Sequence, residues 1–243
     1  NKLTVTGGYN TNGGGIYVSA AGATLNINSS VTVTGNTATS NGGGIYFAGT
    51  SASKANLIMK GSSISKIDSN VATSNGGGVY LSNANLCMSG YSMIGPQNAN
   101  TTAQSGSSAH SNQAANGAGV YADSGASVWL GYTEASDSST ADLASGYGIK
   151  YNYATTSGGG IYFAGANLKL HSGIVSFNQC VSSGGGIYAA GTTQEISGAV
   201  KMELNKAQDG GAVTIGYGDT LTMSGAATVI KNIATRQGGA INN

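Results

Sequence analysis

The pentapeptide Gly-Gly-Gly-Ile-Tyr recurs through the chain, at Gly13–Tyr17, Gly42–Tyr46, Gly158–Tyr162 and Gly184–Tyr188, with Gly-Gly-Gly-Val-Tyr at Gly76–Tyr80. Degenerate copies stand at Gly117-Ala118-Gly119-Val120-Tyr121, Gly210-Gly211-Ala212-Val213 and Gly238-Gly239-Ala240-Ile241. A motif returning at this spacing makes the fold an array of stacked units. The apolar residues behind the triplets are Ile16, Ile45, Val79, Val120, Ile161, Ile187, Val213 and Ile241. They lie 26 to 41 residues apart, around a base unit of 26–29 residues that three units exceed.

A second signature precedes each triplet from the second onward. It is an apolar residue, two variable positions and Asn, as in Val33-Thr34-Gly35-Asn36. Ile67…Asn70, Ile149…Asn152, Val175…Asn178, Met202…Asn205 and Val229…Asn232 repeat it, and Ala109…Asn112 is a weaker copy. Two marks that hold phase over seven units fix the register of the array.

Each unit divides into three short strands. The first follows the triplet, as in Ile16-Tyr17-Val18. The second is Leu-x-apolar: Leu25-Asn26-Ile27, Leu57-Ile58-Met59, Leu86-Cys87-Met88, Val128-Trp129-Leu130, Leu168-Lys169-Leu170 and Leu221-Thr222-Met223. The third leads into the Asn, as in Val31-Thr32-Val33. All three alternate apolar and variable positions, the period of a strand with one buried face, and no segment sustains a helical period. The expected fold is all-β: a right-handed, single-stranded parallel β-helix with three short strands per rung and about seven to eight rungs. Parallel crossovers set the hand. At ~4.8 Å per rung the rod is on the order of 35–40 Å long.

The Gly runs read as sharp corners where a Cβ would meet the coils above and below. The Asn column reads as a second corner. Its side chains can hydrogen-bond from rung to rung, and Asn tolerates left-handed backbone. Two residues beyond each Asn stands a small residue: Ala38, Ala72, Ala114, Ala154, Cys180, Ala207 and Ala234. This column points inward, so Cys180 is expected to be buried. Cys87 and Cys180 lie several units apart, too far for a disulfide, and read as free thiols.

Composition separates this reading from disorder. There are 41 Gly among 243 residues, but the formal net charge is only +1, and aliphatic and Tyr residues recur at fixed places. Neutrality and a single Arg, Arg236, argue against nucleic acid, which needs a basic stripe. No stretch is apolar enough to span a bilayer. Residues 1–243 read as one continuous β-helix segment, a mature product or a fragment of a longer chain. Insertions fall near 51–55, 89–108 and 131–146 and are expected to bulge outward as loops.

The paired signatures resemble the repeats of polymorphic outer-membrane proteins, which combine Gly-Gly-Ala-[Ile/Leu/Val] with Phe-x-x-Asn. Gly210-Gly211-Ala212-Val213 and Gly238-Gly239-Ala240-Ile241 match the first. The second occurs in relaxed form, as in Val175-Ser176-Phe177-Asn178. The resemblance covers nearly the whole chain. It implies a surface-exposed or secreted, autotransporter-type passenger active in adhesion. In that family a membrane β-barrel follows the passenger, and this segment contains no candidate for one. The resemblance carries over no catalytic residue.

Strand alternation places Tyr17, Tyr46, Tyr80, Tyr121, Tyr162 and Tyr188 in one outward column, which Thr214 ends. Exposed aromatic stripes suit protein or glycan contacts. Tyr is also a good strand former whose ring packs on its rung neighbours. Trp129 falls in an outward column beside Cys87 and Lys169. It is either a ligand contact or a residue covered by a neighbouring loop. Glycoside hydrolysis needs two facing carboxylates, and no repeat column collects a pair in adjacent rungs with a basic partner. Glu134, Asp137 and Asp142 share one insertion and have oxygen donors for Ca²⁺, yet read better as a solvated loop. His110 and His171 are isolated from each other and from any nucleophile, and His171 is expected to be exposed.

The chain is therefore expected to be a non-enzymatic bacterial cell-surface or secreted rod for adhesion or display. No cofactor and no metal are expected. Its partners would be a host-surface protein or glycan, or copies of itself end to end. An alternative is a structural subunit of an extracellular filament or sheath, and a third reading is a polysaccharide-active β-helix enzyme.

Overall fold

A computed structural model describes residues 2–97 and 110–243. Among these the secondary structure is strand, turn and bend, without helix. Each strand pairs in parallel with its equivalent one coil away, and the result is a right-handed parallel β-helix. Three sheets form its walls, one of thirteen strands and two of eight.

The first eight-stranded sheet carries the Gly-Ile-Tyr strands, from Ile16–Ser19 to Ile241–Asn242. The thirteen-stranded sheet holds both the Leu strands and the Val strands. The second eight-stranded sheet is the segment after each Asn, from Tyr9–Asn12 to Ile233–Gln237. The three-sided architecture is the one the repeat implies, but one wall is assigned differently. The Leu and Val strands share a wall, and they fuse into single strands at Asn167–Ser176 and Thr193–Glu203. The post-Asn segment reads in sequence as a corner. The apolar residue it buries is only a small Ala or Cys, so its alternation carries almost no hydrophobic contrast.

Apolar columns fill the tube. Ile45, Val79, Val120, Ile161 and Ile187 lie in register and are inaccessible to solvent. Val33, Ile67, Ile149, Val175 and Met202 do the same under the Val strands. One core position breaks type. Gln194 stands between Leu168 and Leu221, 3% exposed. Its Nε2 donates to the Gly191 carbonyl at 2.8 Å, and its Oε1 has no partner.

The Asn residues form the expected ladder, and it is internal. The Nδ2 of Asn36, Asn70, Asn112, Asn152, Asn178 and Asn205 each donates to the Oδ1 of the next Asn, ending at Asn232, over 2.9–3.1 Å. The second Nδ2 proton goes to a main-chain carbonyl of the adjacent coil, as from Asn70 to Val33 at 3.0 Å. Every donor is satisfied without water, which is what burial of an amide requires. The left-handed residue of this corner is the one before Asn, not Asn itself. Gly35, Ser69, Tyr151, Phe177, Leu204 and Lys231 all have φ between 54° and 65°. Asn keeps ordinary backbone because its side chain is engaged with the tube. The residue ahead of it makes the bend and projects outward, where Tyr151 and Phe177 stack at 4.6 Å.

The triplets are corners for two distinct reasons. The first Gly takes positive φ, as Gly42 does at 68°. The second has no room, since a Cβ on Gly43 would lie 2.4 Å from the Val71 carbonyl oxygen.

Two insertions have different limits from those read in sequence. Ala55 is fully buried and opens the strand Ala55–Met59, so the first loop ends before it. Within 89–108, Ser92–Ile94 is a core strand, and Ile94 pairs with Ile67 and Ile149. Ile94 therefore fills the position the sequence assigned to Ala109, which lies outside the described residues. The long insertion splits the signature between its apolar residue and its Asn, and this hid Ile94. Cys180 is buried as expected, and Cys87 is buried too; both are free. Burial pushes both thiols up to about 12.

Candidate functional site

The tyrosine column follows from strand register. Tyr17, Tyr46, Tyr80, Tyr121, Tyr162 and Tyr188 are successive partners in one sheet, and Thr214 and Asn242 continue the row. Their ring centroids are 5.1, 5.0, 5.4, 4.9 and 4.8 Å apart with interplanar angles of 5–17°. Strand spacing imposes this interval. The stripe thus runs roughly 25 Å along the rod axis, five gaps of one rung each.

Stacking decides what the stripe can offer. Ring faces are covered by neighbouring rings, so the edges and hydroxyls turn outward. Exposure varies along the row, from 55% at Tyr17 to 8% at Tyr80. Tyr80 is also held by an acid. Its hydroxyl donates to Asp123 Oδ2 at 2.7 Å, and Asp123 sits in the turn one residue beyond the strand Val120–Ala122. Burial first, then the Asp123 hydrogen bond, raises the Tyr80 phenol far above its ordinary range. Burial and the Asp123 charge bring Tyr121 up to about 12. Tyr46 is raised by burial, then by Tyr17 and Asp123, and Tyr162 by burial and Tyr188. These phenols stay protonated at neutral pH and keep their donor protons.

Trp129 does not join this surface. It is 5% exposed and packs with Cys87 and Tyr132, with Ala135 against the cluster. The third insertion folds back over it. Tyr132 meets the indole edge to face at 5.0 Å, and Lys169 Nζ stands 5.4 Å from the ring. Lys169 is held by Asp137 and by Glu195, the latter at 3.6 Å. Of the two readings of Trp129 in sequence, the covered one describes its place. His171 is half-buried against Tyr132 at 5.9 Å, where exposure was expected. His110 is exposed, and its carbonyl accepts from the Ser69 N–H at 3.0 Å. Asp137 is engaged by Lys169, and among the described residues no three His, Cys, Asp or Glu side chains group to hold a metal.

Two features escape the sequence reading. Asp123 is the one acid on the tyrosine stripe, and its signal was its place directly after Tyr121-Ala122. A second row of Asn runs through Asn12, Asn41, Asn75 and Asn116, immediately before the triplets. Asn116 Nδ2 donates to Asn75 Oδ1 at 3.1 Å, and Asn41 N–H to Asn12 Oδ1 at 3.2 Å. The dipeptide Asn-Gly at all four places was its legible mark.

Residues 30–48 match the Chlamydia polymorphic membrane protein repeat. The matched stretch spans Val33…Asn36 and Gly42–Tyr46, so it holds one rung of the ladder and one tyrosine of the stripe. The repeat is that of a bacterial outer-membrane and surface family, and it supports a cell-surface setting for the chain. No curated protein and no solved structure matches the chain. No described helix is long and apolar enough to cross a membrane.

Proposed function

We propose that this chain is a surface-display rod that mediates adhesion through its tyrosine stripe. The observation that carries the reading is the unbroken outward stack of six phenols, Tyr17 to Tyr188. A pre-stacked row loses little rotamer freedom on contact, so binding across it meets a small entropic cost. Apart from Tyr80, whose proton goes to Asp123, its hydroxyls suit a host-surface protein or glycan that accepts or donates hydrogen bonds along the rod axis. The match of residues 30–48 to a surface-protein repeat agrees with this setting. The reading is non-enzymatic: Asp68, Asp137 and Asp209 are engaged by Lys66, Lys169 and Arg236 rather than facing one another as an acid–base pair.

The natural occupant of the same column, Thr214, supplies the test. The variant Tyr46→Thr, Tyr121→Thr, Tyr162→Thr keeps a strand former at each place. Labelled wild-type chain should bind host cells or a glycan and protein array, and the triple variant should lose at least ten-fold of that binding. Equal binding by both would overturn the stripe as the contact surface.

A second reading, end-to-end stacking of copies, draws on the terminal strands. Among the described residues Leu3–Thr6 pairs with Val31–Thr34 alone, and Ile241–Asn242 with Val213–Ile215 alone. An open parallel edge accepts another strand, whether of a continuing chain or of a second copy. Fibres that lengthen with concentration in electron micrographs support self-stacking, and single rods at every concentration refute it.

A further inference from the structure

On the wall away from the tyrosines, the turns between Leu and Val strands in the first four coils enclose a groove. Its cavity volume is about 540 Å³, inside the range of roughly 300–1,000 Å³ typical of small-ligand sites. Lys2, Ser30, Ser63, Lys66, Tyr91 and Tyr147 line it. They come from successive turns, so the groove runs along the rod axis. In the next two coils the same turn is absent, because the strands Asn167–Ser176 and Thr193–Glu203 run straight through it, and it returns in the last coil between Leu221–Met223 and Thr228–Ile230.

We infer that this groove binds an acidic saccharide unit, a sugar bearing a carboxylate or sulfate. Three features converge on that chemistry. Tyr91 and Tyr147 form an edge-to-face pair at 5.1 Å, which leaves one ring face uncovered by its partner, unlike the stacked column. Ring faces take the apolar C–H face of a pyranose. Ser30 and Ser63 lie with their Oγ atoms 3.0 Å apart, so the pair consumes one hydroxyl proton and retains the other for a ligand. The charge of the groove is positive. Lys66 is matched by Asp68 at 2.5 Å, whereas Lys2 has no ion pair among the described residues. The groove therefore carries one uncompensated ammonium, complementary to one anionic group. This inference stands apart from the tyrosine stripe, which lies on another sheet.

The test is calorimetric titration of the full chain with three oligosaccharides of equal length: an oligogalacturonate, a sulfated glycosaminoglycan fragment and a neutral cello-oligosaccharide. At low salt one or both acidic probes should bind at least ten-fold tighter than the neutral one. Binding of the oligogalacturonate shows that a carboxylate suffices, whereas binding of the glycosaminoglycan alone shows that sulfate is required. Lys2→Glu and Tyr91→Ala should each weaken that binding at least five-fold, with unchanged thermal unfolding. Lys231→Glu, at the far end of the rod, makes the same charge change and should leave it intact. No binding of either acidic probe at millimolar concentration, equal binding of the neutral one, or equal loss in Lys231→Glu would overturn the inference.

Discussion

Two rows of identical side chains run along this rod, one inside and one outside. The Asn ladder is buried, with each amide bonded to the amide beyond and to the main chain behind. The Tyr ladder is a surface row joined by ring stacking, and a Thr interrupts it at coil seven. The same rung spacing builds both. What differs is the consequence of a vacancy. An absent Asn strands buried donors and acceptors, which costs about 1–3 kcal/mol for each group left unpaired. An absent ring forfeits about 0.5–1.5 kcal/mol per stacked pair. The inner row is therefore continuous from Asn36 to Asn232, while the outer row ends at Tyr188 with the coil intact. A row that stability does not demand, yet that persists through six coils, is the better place to look for function.

The largest expected effect lies where the corner glycines press on the inner row. A Cβ on Gly78 would stand 2.6 Å from the Gly119 carbonyl oxygen and 3.0 Å from Asn112 Nδ2. Gly78→Ala should destabilise the chain by about 3 kcal/mol or more, seen as a lower denaturant midpoint, since backbone cannot retreat there. An unchanged midpoint would mean that the coils can part at no cost.

Next is the ladder itself. Asn152→Ala removes bonds to Asn178, Ile94 and Lys150 and leaves Asn112 Nδ2 without its Asn acceptor. A loss of about 3 kcal/mol is expected. Tyr121→Thr should cost about 1 kcal/mol, from two stacked pairs partly offset by a good strand former. If the two losses proved equal, the contrast between inner and outer rows would collapse.

Alkaline titration separates the rows in another way. The Tyr121 phenol is held up at about 12, against an ordinary value near 10, by burial and Asp123. The folded state thus keeps a proton that the unfolded chain releases. The resulting stabilisation is full below pH ~10 and is lost as pH rises toward 12. Absorbance should report phenolate late at Tyr121, together with falling stability across this window. Asp123→Asn should move the phenol titration downward. Titration of Tyr121 at its ordinary pH would show that the row is not desolvated.

The smallest effect has the opposite sign. Leu204 takes φ 55° at the corner before Asn205 and is 37% exposed, so its side chain contributes little there. Left-handed backbone costs a non-Gly residue about 1–2 kcal/mol. Leu204→Gly should raise stability by about 0.5–1 kcal/mol after the extra freedom of the unfolded chain is counted. A fall in melting temperature would show that Leu204 packs usefully outside the ladder.

Much of the architecture was readable in residue order, because the repeat copies its physics into every unit. The triplet at Gly42–Gly44, the inward Ile45 and the outward Tyr46 each recur with fixed spacing, and the inner Asn row could be placed by counting. The post-Asn wall was not readable as a sheet, since Ala38 and its equivalents give too little hydrophobic contrast to reveal alternation. Ile94 was hidden because an insertion parts it from Asn112. The groove was hidden because Lys2, Ser63 and Tyr147 belong to three different coils and share no motif.

The linear order of residues determined the parallel coil, its register and the two stacked rows, since one spacing rule repeated eight times leaves few other ways to satisfy backbone and core. Only the tertiary structure decided which polar groups meet. Asp123 reaches Tyr80 across a rung, a loop folds over Trp129, and turns from four coils close around a single cavity. Those contacts depend on where non-repeating segments return to the rod, and periodicity holds no information about segments that occur once.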